Sequence, residues 1–273
     1  MKSIVAILVP GIAIYLIYTN LGLRWGLLAL AAYLLISCFV KLPDILMIKG
    51  AKQYKTDPEK GLATMEKAFR TKRLKTDYIL FYSFMCLKAG EYDRAEEILN
   101  AASHKQMTAE QSCRAAVNRA LLLWKQGNIE KAISILEEQL KLGKNRNVYG
   151  TLGQLLLLNG QMQRAMELNQ EAYTFDKYDE AIVDNLALNY RLAGDLDSSW
   201  NLYKELTGKR LGVPIPYYNC GETLYALGRK EEALDMMQNA LGYSFSNLAV
   251  VTREEIEARM AEISAEIEEN EKN

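Results

Sequence analysis

Histidine is nearly missing from this chain: one residue, His104, in 273. A single imidazole excludes the Ser/His/Asp and Cys/His nucleophile systems, which depend on that side chain as base. Proline is also scarce, at five residues, too few turn-formers for a many-stranded β fold. The four cysteines, Cys38, Cys86, Cys113 and Cys220, form no C-x-x-C pair. Each sits inside an apolar helical pattern, where Cys acts as a small apolar residue, so buried, reduced thiols and a reducing compartment are expected. No Gly-rich phosphate loop is present, since the glycines fall at a repeat spacing. No basic stripe runs through the chain, which argues against nucleic acid as partner. Carboxylates are plentiful but alternate with basic residues, as on solvated helix faces. The expectation is therefore no catalytic residue, no metal and no cofactor.

What is present is apolar and helical. Hydrophobic residues make up 49% and charged residues 25%, which is too apolar for a disordered chain. The formal net charge of −1 conceals a gradient. Lys41 to Lys75 holds ten Lys/Arg against four Asp/Glu, a net of +6, and Val251 to Asn273 holds eight Glu against three Lys/Arg, a net of −5. One end suits an anionic surface and the other suits solvent or a basic partner.

Residues 3–40 contain one charged residue, Arg24. Ser3–Thr19 and Leu23–Val40 fit two slightly short membrane spans, with Thr19, Asn20 and Gly22 as the turn and Tyr15, Tyr18 and Trp25 at interface depth. Pro10-Gly11 would break a soluble helix and is tolerated in a membrane one if the freed carbonyls find partners. A cleaved signal peptide is the rival reading, but no small-x-small site follows the apolar stretch before the second span. Lys41, Lys49, Lys52, Lys55 and Lys60 flank the second span, so the positive-inside rule puts both termini in the cytoplasm. The same lysines fit either a plain solvated flank or contact with anionic lipid.

Beyond residue 41 the chain repeats. Gly90, Gly127, Gly160, Gly194 and Gly228 fall at steps of 37, 33, 34 and 34. Each closes an apolar helix and precedes a second helix with a small residue five further on: Ala95, Ala132, Ala165, Ser199 and Ala233. Leu152–Tyr173, LGQLLLLNGQMQRAMELNQEAY, shows the pattern best. A period of about 34 residues with this helix–turn–helix shape resembles the tetratricopeptide repeat. The resemblance reaches from about Leu42 to about Tyr243. It implies an all-α solenoid of five to six repeats over residues 42–250, behind a membrane hairpin over 1–41 and before an acidic capping helix over 251–273. This architecture resembles membrane-anchored bacterial proteins of that family.

Within the array, Leu42–Phe69 reads as a degenerate capping repeat, with Pro43–Lys55 as its first helix, which could stack directly on the end of the second span, and Asp57-Pro58 opening its second. Thr108-x-x-Gln111 and Thr252-x-x-Glu255 are capping boxes. The longest connection, Thr207–Val213, includes Lys209 and Arg210. The last helix carries a narrow stripe of Ile256, Met260, Ile263 and Ile267, which suits a solvating cap or a protruding helix for a coiled coil.

The resemblance also implies a concave groove lined by the first helix of each repeat. The repeat phase puts Asn118, Asn185 and Asn219 at one equivalent position, with Thr151 between them. In such grooves an Asn pairs with the backbone of an extended peptide. A polar residue satisfied by neighbouring helices is the other reading. Beside this ladder the phase places Phe84, Leu121, Trp124, Gln154, Arg191, Tyr218 and Tyr225, a largely apolar and aromatic lining suited to a protein or peptide segment. Leu80/Phe84 and Val117/Leu121 stand where clamps for a terminal carboxylate carry Lys and Asn, so chaperone C-termini are poor ligands. The expected function is a non-catalytic adaptor holding a protein partner at the cytoplasmic face of the membrane. The alternative is a structural subunit or assembly factor of a membrane complex, with the hairpin as its working surface. Oligomeric state is not legible.

Overall fold

The computed structural model describes residues 2–209 and 211–272, leaving aside the side chains of residues 2–7, 271 and 272; Arg210 of the long connection lies outside the described residues. Every regular element among the described residues is a helix. The chain divides into two compact units, Met1–Tyr78 and Ile79–Asn273.

The first unit contains α1 (Lys2–Leu21), α2 (Leu23–Tyr54) and α3 (Pro58–Arg70). Helices α1 and α2 pack together through a turn at Gly22, whose φ of 87° lies in the left-handed region. A Cβ at Gly26 would fall 2.9 Å from Tyr18 Cβ, so the two helices approach through the missing side chain. Helix α1 runs unbroken through Pro10.

Helix α2 corrects one expectation. The second apolar segment does not end at Val40 with a separate helix from Pro43; one helix of 32 residues passes through Pro43. Proline has no N–H to give the carbonyl four residues back, here that of Phe39. Arg73 supplies the donor instead, its Nη1 lying 2.8 Å from Phe39 O, with the guanidinium 3.8 Å over the Phe39 ring. Lys75 pairs with Asp44 at 2.5 Å one residue beyond the proline. The Asp57 side chain caps α3 by accepting from the Lys60 N–H at 3.0 Å. Gly50 and Gly61 then let α2 and α3 meet: Cβ atoms there would fall 2.6 Å from Met65 Cγ and from Tyr54 backbone.

The second unit is an array of helix pairs. They are α4 (Thr76–Ala89, which carries the division between the units) with α5 (Tyr92–Ser103), and α6 (Ala109–Lys125) with α7 (Ile129–Leu142). Three more follow: α8 (Arg146–Leu158) with α9 (Met162–Phe175), α10 (Glu180–Leu192) with α11 (Leu196–Thr207), and α12 (Ile215–Ala226) with α13 (Lys230–Leu241). Helix α14 (Arg253–Lys272) closes the array. The five turn glycines have φ between 70° and 85°. After each, the next N–H reaches the carbonyl five residues back: Glu91 to Cys86, Asn128 to Leu123, Gln161 to Leu156, Asp195 to Tyr190 and Arg229 to Leu224, all between 2.8 and 3.0 Å. This closing bond satisfies helix-end carbonyls and requires the left-handed residue, which is why glycine recurs at that position.

The small residues following the turns, Ala95, Ala132, Ala165, Ser199 and Ala233, are fully buried. Ser199 keeps its hydroxyl satisfied by sharing a hydrogen bond with Thr223 Oγ1 at 3.1 Å. Helix α14 sinks Ile256 and Ile263 into the same cluster as Leu224, Ala233 and Met237, as a cap on the last pair. The loop before α14 reaches back across the array: Asn247 donates from its backbone N–H to Lys88 O at 3.0 Å and from Nδ2 at 3.4 Å.

Candidate functional site: the concave face

Helices α4, α6, α8, α10 and α12 hold equivalent places in successive pairs, and their equivalent residues form one surface. Phe84, Trp124, Gln154, Arg191, Tyr218 and Tyr225 are each partly exposed on it, as is Thr151. Leu121 is only 7% exposed and belongs to the packing between helices.

The asparagine ladder sits deeper than a ligand-facing row. Asn118, Asn185 and Asn219 are each 5% exposed. Asn118 Nδ2 donates to Leu80 O at 2.8 Å and to Ser83 Oγ at 2.9 Å. Asn185 Nδ2 donates to Gly150 O at 2.7 Å, and Asn219 Nδ2 to Asp184 Oδ1 at 3.0 Å. Each amide thus reaches back to the equivalent helix of the preceding pair, and its donors serve the joint between repeats. Sequence periodicity finds the register of these residues but not the direction of their bonds.

Asp184 is the charged member of this set. Its Oδ1 also accepts from Tyr203 Oη at 2.9 Å. Burial outweighs those two hydrogen bonds and the field of Arg191, and pushes its carboxyl up to about 6. The same burial, with Asp184 beside it, holds the Tyr203 hydroxyl well above its ordinary range. A second polar joint, which sequence reasoning missed, lies behind it. Asn169 is fully buried on α9 and donates to Asn189 Oδ1 at 3.2 Å, while Asn189 Nδ2 donates to Met162 O at 3.4 Å. Gly153 makes room for it, since a Cβ there would fall 2.1 Å from Asn169 Oδ1. An asparagine in a second helix, four residues past a small position, is the only signal the sequence offers for this.

At its end the surface is covered by α14. Arg259 pairs with Glu222 at 2.9 Å and stacks 4.3 Å from the Tyr225 ring centroid. Tyr225 Oη donates to Glu266 at 2.9 Å, and Lys230 pairs with the same carboxylate at 2.8 Å. Tyr225 and Glu222 are therefore occupied within the fold, and the open stretch lies along α6, α8, α10 and Tyr218 of α12.

Two buried thiols of this unit are held in the unreactive form. Burial pushes the Cys220 thiol up to about 12 and raises that of Cys113, the direction that keeps a thiol protonated. Cys86, Cys113 and Cys220 are buried, whereas Cys38 is exposed on α2, contrary to the expectation for all four. Among the described residues no three His, Cys, Asp or Glu side chains are gathered so as to hold a metal ion. A depression of about 390 Å³ between α9, α10 and α11, lined by Gln170, Tyr173, Tyr190 and Asn201 among others, includes none of the expected groove residues.

Comparison with known proteins agrees with this geometry. Family models described as tetratricopeptide repeat match residues 87–147, 117–180 and 214–239. No curated protein matches the chain in sequence. A tetratricopeptide repeat protein of Parabacteroides merdae superposes with a TM-score of 0.65 at 14% identity, over 92% of this chain and 96% of that one. A thermophilic TPR protein from Thermus thermophilus gives 0.57 at 17% identity, over 70% and 100%. The APC/C hetero-tetramer Cut9–Hcn1 gives 0.59 at 16% identity, over 83% of this chain and 40% of that one. At these identities the likeness is one of fold. The 34-residue period, the closing bonds at the turn glycines and the family matches agree that the chain carries tetratricopeptide repeats stacked as an α-solenoid.

Proposed function

We propose that the protein is a non-catalytic adaptor, anchored in a membrane by α1 and α2, whose concave face holds a segment of a partner protein on the cytoplasmic side. The observation that carries this reading is the open stretch from Trp124 to Tyr218, where Trp124, Leu188 and Tyr218 stand among the polar side chains of Thr151, Gln154 and Arg191, on a fold whose relatives mediate protein–protein interaction. Groove binding would be strengthened by restriction to two dimensions, which raises the effective concentration of the partner.

Anchoring is supported by α2. Among the described residues it is the one helix long and apolar enough to cross a membrane, and Leu8–Leu21 of α1 is a shorter apolar stretch. Large apolar side chains from Leu8 to Val40 are exposed, Leu35 to 72%. At 32 residues α2 is about 48 Å long against a hydrocarbon core of about 30 Å, so it spans and still projects beyond the headgroups. The lysines after Val40 favour the cytoplasm for that projection. The second reading, a structural subunit that works through the hairpin, is favoured by the same exposed apolar surface.

The test is photo-crosslinking in cells from Gln154 on the concave face and, separately, from Leu34 on α2. A dominant water-soluble protein captured from Gln154 supports the adaptor. Capture of membrane proteins from Leu34, with none from Gln154, supports the structural subunit.

A further inference from the structure

The concave face has a cation, Arg191, that no carboxylate bonds, although its charge is felt by Asp184. The side chain of Arg191, on α10, forms no hydrogen bond or ion pair among the described residues, and its Nε is buried without a partner. The nearby acids are committed elsewhere. Asp184, two turns earlier on the same helix, accepts from Tyr203 and Asn219 at Oδ1. Glu222, on the next first helix, is paired with Arg259. Around Arg191 stand Leu188, one turn earlier on the same helix, and Tyr218, whose hydroxyl lies in the field of both Arg191 and Glu222. Lys125, next to Trp124 on α6, is likewise without an ion pair, and its ammonium lies 4.1 Å from the centroid of the Trp124 ring.

A buried guanidinium N–H left without an acceptor is costly in the free protein, and a carboxylate meets it in planar, two-toothed geometry. Arg229 and Arg259 of this unit, by contrast, each have a carboxylate within reach. We infer that Arg191 is the anchor for an Asp or Glu side chain, flanked by apolar residues, in an extended segment of the partner protein. This rests on the concave-face reading and narrows it to acidic segments. The neighbours Leu188 and Tyr218 take the flanking side chains, and Lys125 favours a further acid toward α6.

The experiment places a photo-reactive amino acid at Leu188 in the full chain in cells and maps the captured segment by mass spectrometry. The expected result is one dominant partner with Asp or Glu within a few residues of the attachment point. Arg191→Gln should cut the capture about tenfold or more, the usual scale for removing one member of a desolvated charge pair, while Arg191→Lys keeps a larger share. Arg191→Glu should be rescued by changing that partner acid to Lys. A thermal unfolding midpoint for Arg191→Gln equal to the parent's shows that the loss is not one of folding. A segment without acid, or capture indifferent to Arg191→Gln, overturns the inference and leaves groove binding standing. Capture of this chain's own Glu-rich C-terminus overturns it as a site for another protein. No capture from either Leu188 or Gln154 removes the concave-face reading and the inference with it.

Discussion

Asp184 shows how one side chain can join two repeats and carry a pH signature. Its carboxyl is raised to about 6 when folded, against about 3.9 for an unfolded Asp. Between those values the folded chain holds a proton that the unfolded chain has released, so this group's share of stability falls as pH rises from about 4 to about 6. Carboxylates held low, such as Glu171 by Lys144 and Glu232 by Arg229, act in the opposite sense and lose their share as pH falls below about 4.5. Asp184→Asn keeps an acceptor for Tyr203 and Asn219 and removes the titration. Urea unfolding of the full chain in detergent, from pH 4 to 7, should show the parent losing stability relative to Asp184→Asn as pH rises. Gly153 tests packing at the same scale. An added methyl would meet Asn169 and Asn185 side-chain atoms at 2.1 and 2.9 Å, so Gly153→Ala should cost about 1–3 kcal/mol. Gly212→Ala, with open space around it, should cost much less by the same unfolding measurement.

At the level of elements, the turns were readable because they obey a local rule. A glycine in the left-handed region lets the next N–H close the helix, and nothing distant is needed. The capping box at Thr108 and Gln111 is local in the same way, and both its bonds are formed. The join at Pro43 was not readable, because its outcome depends on Arg73, thirty residues later. A proline between two apolar stretches reads as a boundary until a donor for the freed carbonyl is found. The asparagine ladder left two readings open for a related reason: periodicity shows which residues are equivalent, whereas the partner of each amide lies 35 or more residues away. The Pro43–Arg73 relation makes a double-mutant test. Arg73→Ala alone should destabilise α2 by about 0.5–1.5 kcal/mol, the scale of one hydrogen bond that is not buried, since the Phe39 carbonyl loses its donor. In a Pro43→Ala background, where the backbone N–H returns, the same change should cost clearly less. Hydrogen exchange of the Phe39–Met47 amides in detergent reads both.

Across the whole molecule, the proposed function would divide the work between the two units, anchoring in the first and recognition in the second. The first unit carries the exposed apolar helices and the basic flank. The second carries the repeats, sealed at its end by α14, whose acidic face meets water while Ile256 and Ile263 are buried. Repeat arrays need such caps because the last pair otherwise leaves its apolar face bare. In this account the hairpin only holds the protein in place, and the partner is chosen on the concave face. The most direct measurement exchanges residues 3–40 for an unrelated two-span hairpin and repeats the crosslinking from Gln154 in cells. The account predicts the same dominant partner at a similar yield. Loss of that partner, with the exchanged protein still folded and in the membrane fraction, would contradict it and make the hairpin the surface that matters.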